Sequence, residues 1–239
     1  MLTISIVSHK QLSLMDSLLT NIIDQTSFDL ILTINTDERE DILSNYPKNR
    51  INIIRNKKPL GFTENHNNAF KKCQTDYFLI LNPDVVIKND LIKNVLAQMM
   101  NNNISIISPV AVSKSGEYLD NARKFPKFLT PFLRLFSQKT ETDYNLEANK
   151  LYTVDWISGM FIMINSSVFS SLDGFDQRFF LYYDDVDICR RAKAQGYTVY
   201  LTTTYTVIHE GNRLSKKSLR YFLIHLSSLF KYHLKFGLK

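Results

Sequence analysis

Residues 2–8 (LTISIVS) form a short apolar run of strand type, after which Leu12, Met15, Leu18, Leu19, Ile22 and Ile23 recur at helical spacing. A second strand-like run covers 28–34 and is punctuated by Asn35-Thr36-Asp37. A short helix is predicted over 38–45, a strand over 51–54, and a helix from Thr63, a candidate N-cap, to about Cys73. Residues 77–81 (YFLIL) read as a buried strand, followed by a helix over 89–101 and a strand over 104–109. Strand and helix thus alternate through the first half. That predicts a parallel sheet with helices on its faces and ligands outside the carboxyl ends of its strands.

The periodicity is lost across 111–150, an irregular stretch whose one compact feature is Arg123-Lys124-Phe125-Pro126. It returns at Val154-Asp155-Trp156-Ile157-Ser158-Gly159 and the apolar run 160–164, with a short helical segment at 166–172. In 174–213 an aromatic run, Phe179-Phe180-Leu181-Tyr182-Tyr183, leads into Asp184, Asp185 and Asp187. A helical stretch, a glycine turn and two short strand-like segments then end at His209-Glu210-Gly211.

Composition narrows the class. At 239 residues, 44% hydrophobic and 22% charged, the chain reads as one ordinary soluble globular domain with an appendage. Cys73 and Cys189 are far apart and lack metal-ligand spacing, which indicates a reducing compartment. The start, MLTISIVSHK, is a strand pattern rather than a signal peptide, and no apolar run reaches the roughly 18 residues of a membrane span. The net charge of +6 lies in the tail: after Glu210 there are seven basic residues and no acid, leaving about −1 on residues 1–210.

Asn82-Pro83-Asp84 is common turn chemistry, but proline cannot continue a central strand, so Asp84 falls on a loop at the ligand edge. A carboxylate there can hold a divalent cation against a diphosphate, and His209, alone an unremarkable histidine, becomes a candidate imidazole ligand beside it. Imidazole favours Mn²⁺ over Mg²⁺. If Asp184 is an N-cap, Asp187 falls at the third helical position, and both are explained as helix starters. Asp185 is not so explained and is the candidate general base. Gly61-Phe62-Thr63-Glu64-Asn65-His66-Asn67-Asn68-Ala69 is either a plain loop and helix start or a nucleotide-binding turn, and lacks the glycine spacing of a phosphate loop. In the tail, Leu219, Phe222, Leu223, Leu226, Leu229 and Phe230 form an apolar stripe with basic residues elsewhere. The helix either packs on the domain or lies on anionic lipid, and no nucleic-acid motif is present.

The ordered set of these features resembles the family 2 inverting glycosyltransferases of the nucleotide-diphospho-sugar transferase (GT-A-like) fold, and within them bacterial rhamnosyltransferases of O-antigen and related polysaccharides. The residues that carry the resemblance are SIVSH at the start, Gly61-Phe62 with Asn65, Asn67 and Asn68, Leu81-Asn82-Pro83-Asp84-Val85, and Arg123-Lys124-Phe125-Pro126. Val154-Asp155-Trp156 with Gly159, Gly174-Phe175-Asp176, Phe180 through Asp187 with Cys189, and Ile208-His209 complete it. The resemblance implies a single α/β catalytic domain over 1–212, with a nucleotide-sugar half (1–110) and an acceptor half (111–212). Its central, mostly parallel sheet would be flanked by helices and followed by a basic amphipathic C-terminal helix within 213–239. It implies Asp185 as base, with Asp184 in place of the family's Glu. Asp84 and His209 would hold Mn²⁺ or Mg²⁺, with Asn82 in place of the first aspartate of a DxD motif. Donor contacts would come from Ser8, Asn35 or Asp37, Gly61, Phe62, Asn65, Asn67, Asn82 and Asp84. Sugar or acceptor contacts would come from Trp156, Gly159, Tyr183 and Asp184.

The implied reaction moves rhamnose from dTDP-rhamnose to a polyprenyl-diphosphate-linked glycan. The chain would be cytoplasmic and peripheral on the inner membrane face through Lys216, Lys217, Arg220, Lys231 and Lys235. A transferase using a UDP-hexose, and a non-catalytic nucleotide-sugar-binding or scaffold subunit, are the alternatives.

Overall fold

A computed structural model describes residues 1–25, 28–88, 90–127, 143–209 and 218–237. The predicted alternation builds one side of a large sheet. Strands β1 (Leu2–Ser8), β2 (Phe28–Ile34), β3 (Ile51–Arg55) and β4 (Tyr77–Leu81) pair in parallel in the spatial order β3-β2-β1-β4. Helices α1 (Asp16–Ile23) and α2 (Phe62–Phe70) are two of the connections. The helical spacing that starts at Leu12 is split, because a 3-10 turn over Leu12–Leu14 precedes α1. The helix predicted over 38–45 shrinks to a 3-10 turn, Asp41–Asn45, which is enough to lay Ile42 and Leu43 on the core before Pro47.

Past β4 come β5 (Val85–Val86), α3 (Leu91–Asn101), β6 (Ile106–Val112), β7 (Tyr118–Leu119), β8 (Ala122–Arg123), β9 (Leu151–Val154), β10 (Trp156–Ile157) and β11 (Phe161–Asn165). Helices α4 (Ser166–Ser171) and α5 (Asp184–Ala194), strand β12 (Val199–His209) and helix α6 (Leu219–Phe236) complete the described chain. Strand β11 enters between β4 and β6, antiparallel to both, and β12 runs parallel to β6. The order β3-β2-β1-β4-β11-β6-β12-β5 is mostly parallel by length of pairing, with helices on both faces. Alternation along β4 shows the two-sided burial: Leu79 and Leu81 face one core, Phe78 and Ile80 the other. The second core holds an aromatic group in which Phe78, Phe70, Phe169 and Phe175 meet edge-on or tilted.

Two predictions about strands change. Strand β6 does not stop at Pro109 but continues to Val112, and the two short segments predicted before His209 are one strand, β12. The reason is local. Pro109 has no N–H to give, and the pairing of β12 with β6 slips between Thr202 and Thr206. The buried Asn121 side chain fills the break: its Oδ1 accepts from Ala111 N at 3.0 Å and its Nδ2 donates to the Pro109 carbonyl at 3.1 Å.

Helix α6 turns one face inward. Leu229 and Tyr232 form a third small core with Phe179, Tyr183 and Val186, while Leu219, Leu223 and Leu234 stay exposed. No described helix is long and apolar enough to cross a membrane.

Replacing Asn121 by Ala strands a buried amide and a buried carbonyl. Asn121→Ala is expected to lower unfolding stability by roughly 2–4 kcal/mol, read as a fall in denaturant midpoint at unchanged slope.

Candidate active site

Asp84 and His209, 125 positions apart in the chain, stand together. The Asn82-Pro83 turn ends β4 and the chain re-enters the sheet as β5, which pairs antiparallel with the end of β12 and sets His209 opposite Val85. His209 Nε2 lies 3.3 Å from Asp84 Oδ1, with about a fifth of each side chain exposed. The approach is poorly aligned for a hydrogen bond, so Asp84 Oδ1 is buried without a hydrogen-bond partner. Burial pushes the Asp84 carboxyl up, but the nearby imidazole pulls it down further, leaving it below the ordinary carboxylate range. An ionised, unsatisfied carboxylate oxygen beside an imidazole suits a divalent cation, and among the described residues no third His, Cys, Asp or Glu joins the pair. Such a cation would take its remaining ligands from substrate oxygens and water.

The carboxylates of α5 divide differently from the sequence expectation. Asp184 is not the N-cap. Tyr183 is, with φ +62°, and Tyr182 before it has φ +67°. Asp184 and Asp185 are therefore the first two helical residues and Asp187 the fourth. Asp187 is not a dipole-complementing starter: it is fully buried and accepts from Arg191 Nε at 2.7 Å and Lys235 Nζ at 2.5 Å. Arg191 also donates to the carbonyls of Leu172 and Gly174.

Asp185 is oriented by two amides: Gly159 N donates to its Oδ2 at 3.0 Å and Val186 N to its Oδ1 at 2.9 Å. Burial raises its carboxyl, opposed by those amides and by the positive charge of Arg123. Asp184, more completely buried, is raised well above the ordinary range by burial and then by the charges of Asp185 and Asp187. Both carboxyls of the adjacent pair are thus raised, and Asp184 is raised further by the charge of its neighbours.

These two clusters adjoin through β11. Asn82 N donates to the Met160 carbonyl at 2.9 Å, and the residue before Met160 is Gly159, whose amide holds Asp185. Two surface grooves, one bounded by Asp16, Tyr46 and Arg50 and the other by Phe70, Phe175 and Lys235, include none of Asp84, Asp185 and His209.

Several residues expected to touch the donor are engaged in holding the scaffold. Asn35 is buried; its Oδ1 accepts from Leu60 N and Asn56 Nδ2, both at 2.8 Å, and its Nδ2 donates to the Leu60 carbonyl. Asn65 Oδ1 accepts from Asn56 Nδ2 at 2.7 Å, and Asn67 bonds both backbone groups of Phe175. The Phe62 ring packs on His66 and Phe175, and Gly61 is needed because a Cβ there would stand 2.7 Å from the Phe180 carbonyl. Thr63 is not an N-cap; its hydroxyl donates to the Phe179 carbonyl at 2.7 Å. Asp37 is exposed and Asn82 half-buried.

Ser8 is buried and donates to Glu38 Oε2 at 2.9 Å, which also accepts from Leu12 N. Glu38, not singled out in the sequence, leaves Oε1 buried without a partner at the carboxyl ends of β1 and β2. Its signal was lost in the charged run Asp37-Glu38-Arg39-Glu40-Asp41.

On the acceptor side, Trp156 pairs with Arg123 across β10 and β8 and donates its indole N–H to the Lys124 carbonyl at 3.0 Å. Tyr183, expected among the acceptor contacts, is buried against Tyr232 and His225. In the tail, Lys216 and Lys217 lie outside the described residues and Arg220 is exposed. Lys231 donates to the Arg178 carbonyl at 2.9 Å. Lys235 points into the domain, to Asp176 at 2.7 Å and Asp187, rather than toward a membrane.

Residues 2–222 match the model of "Glycosyltransferase like family 2". The chain is 27% identical over 188 residues to rhamnosyltransferase WbbL of Escherichia coli K12, covering 72% of this chain and 69% of that protein. It is 30% identical over 78 residues to the N-acetylglucosaminyl-diphospho-decaprenol L-rhamnosyltransferase of Mycobacterium tuberculosis H37Rv, covering 32% of this chain and 25% of that one. Among solved structures, the mannosyltransferase PcManGT from Pyrobaculum calidifontis superposes with a TM-score of 0.66 at 12% identity, over 98% of this chain and 64% of that one. GalNAc-T7 superposes with a TM-score of 0.65 at 12% identity, over 87% and 43%. The chain thus spans less than two thirds of the length of either solved structure, and the likeness to them is one of fold. With the family model matched from Leu2 through β12 and into the first turn of α6, and a GT-A-like sheet carrying the carboxylates at its edge, the protein belongs to glycosyltransferase family 2.

Proposed function

We propose that this glycosyltransferase is an inverting rhamnosyltransferase that moves L-rhamnose from dTDP-rhamnose to a lipid-linked glycan in surface-polysaccharide synthesis of the O-antigen or capsule type. One observation carries the transfer: a carboxylate, Asp185, is fixed by the Gly159 amide on the sheet edge that also holds Asp84 and His209. The names of the relatives support the sugar and an acceptor on a polyprenyl diphosphate. In this reading residues 1–110 form the donor half, 111–212 the acceptor half, and the segment from 213 carries a membrane-facing surface.

Asp185 takes the proton from an acceptor hydroxyl as that oxygen attacks the anomeric carbon on the face opposite the nucleotide. The new glycosidic bond forms as the bond to the diphosphate oxygen breaks, and dTDP leaves. A single displacement with one base needs no glycosyl-enzyme intermediate. A divalent cation held by Asp84 and His209, Mn²⁺ or Mg²⁺, supplies positive charge against the diphosphate. Glu38, with a free buried oxygen at the far end of the same edge, is placed to accept from the nucleoside. Trp156 and the exposed Phe180 offer apolar surface to a 6-deoxy sugar and its acceptor.

The outer face of α6, with Leu219, Leu223 and Leu234 exposed and Arg220 beside them, suits the anionic inner leaflet where such an acceptor resides.

Asp185→Asn is expected to lower kcat by about 10² to 10⁴-fold while dTDP affinity stays within a few fold. Because burial raises its carboxyl, the acid limb of the wild-type kcat profile should lie above the ordinary aspartate range near pH ~4. Comparable turnover by the variant would remove Asp185 from the base role. In thermal-shift titrations, dTDP-rhamnose with Mn²⁺ should raise the Tm more than UDP-hexoses do, and Asp84→Ala or His209→Ala should erase the metal-dependent part of the rise. A larger shift with a UDP-hexose would reassign the donor. Vesicles containing phosphatidylglycerol should bind the full chain and lose it on Leu223→Glu/Leu234→Glu; equal binding by that variant would remove the outer face from membrane contact.

A further inference from the structure

The segment 178–183 carries the chain into α5 through two consecutive left-handed residues, Tyr182 and Tyr183, neither a glycine. Each such residue costs roughly 1–2 kcal/mol, so the conformation persists only where its surroundings impose it. On one side the donor half imposes it: Phe62 N donates to the Phe180 carbonyl at 2.8 Å and Thr63 Oγ1 to that of Phe179. Helix α6 imposes it from the other. Ser228 Oγ donates to the Leu181 carbonyl at 2.8 Å, Lys231 Nζ to that of Arg178, and the His225 ring meets the rings of both left-handed tyrosines at 5.2 and 5.4 Å.

The strongest of these ties reaches the helix that bears the base. Lys235 Nζ bridges Asp176, before the segment, and Asp187, after it, at 2.7 and 2.5 Å. Asp187 lies two residues beyond Asp185 on α5. One turn further, Arg190 Nη1 donates to Tyr232 Oη at 2.7 Å, and its guanidinium sits 4.6 Å from the centre of the Phe236 ring. The ends of the loop and the start of α5 are therefore pinned to one ammonium from a different element.

We propose that Lys235 is a positioning residue for Asp185: by clamping Asp176 to Asp187 it fixes the left-handed turn and so the place of the carboxylate against the Gly159 amide. Helix α6 is then a working part of the catalytic site and not only a cover. The inference rests on Asp185 being the base, so its test has one arm that does not depend on turnover.

Lys235→Met removes the ammonium while keeping an unbranched side chain one atom shorter, and leaves Arg191 on Asp187; Lys235→Arg restores the charge. In hydrogen exchange on the full chain, Lys235→Met should speed exchange of the 178–188 amides by about tenfold or more while the amides of β1 and β4 keep their wild-type rates, and Lys235→Arg should recover most of the protection. With dTDP-rhamnose as donor, kcat of Lys235→Met should fall about tenfold or more with the Kd for dTDP changed less than about threefold. Exchange in 178–188 at the wild-type rate, or a rise spread equally over β1 and β4, overturns the proposal. So does local loosening of 178–188 with an unchanged kcat. If the wild type does not turn over dTDP-rhamnose, the donor assignment fails, and the exchange comparison alone decides the clamp.

Discussion

A carboxylate with no surface, Asp187, governs the second half of this fold. A buried charge stripped of a partner costs roughly 3–5 kcal/mol, so the chain around it must deliver cations and hold them. It does so twice over. Arg191, one turn along the same helix, reaches Asp187 and ties down the Leu172 and Gly174 carbonyls, fixing the loop that follows α4. Lys235 comes from the far end of the described chain and brings α6 with it. The Phe179, Tyr183 and Val186 cluster then closes over Leu229 and Tyr232. Electrostatics chooses the partner of this patch and apolar burial seals it.

The first half of the site follows from topology. Strand β11 enters antiparallel between β4 and β6, so its start lies at the carboxyl end of β4, where the parallel half of the sheet presents its ligand edge. That one insertion brings Gly159 beside the Asn82-Pro83-Asp84 turn. The return of the chain as β5 along β12 does the same for His209. The metal-type pair sits within a few residues of paired strands, while Asp185 opens α5 and reaches the start of β11 through the Gly159 amide.

How much of this the sequence disclosed depends on range. Strands β1, β2, β4 and β11 were legible because continuous apolar runs of fixed length leave few alternatives; Asp84 and His209 gained meaning only as a pair at the ligand edge of an α/β sheet, and Asp185 by contrast with two neighbours that read as helix starters. What was not legible was who partners whom. Asn35, Asn65 and Asn67 look like ligand amides in a list of residues, yet each is occupied by backbone groups more than five positions away or by another amide. Asp187 has the spacing of a helix starter, and only the arrival of Lys235, 48 residues later, shows it to be a buried ion-pair centre. Lys235 itself reads as one of seven tail cations; its burial is set by α6 packing that no local pattern announces. Glu38 was hidden by its neighbours, since five charged residues in a row say nothing about which one turns inward.

Helix α6 joins these ranges. Its inner face is pinned to α5 by one ion-pair bridge, one hydroxyl bond and a small aromatic core, while its outer face keeps leucines in solvent. A helix used only as packing has no need of exposed Leu219, Leu223 and Leu234, and a helix used only as a lipid anchor has no need of Lys235 buried on Asp187. Both demands fall on one rigid element of 18 residues. If its outer face meets lipid, Asp185, two residues before Asp187, is held at a fixed height above the bilayer, the plane from which the proposed polyprenyl-linked acceptor would arrive. The geometry that positions the carboxylate within the protein would then also position it relative to the substrate's own solvent boundary.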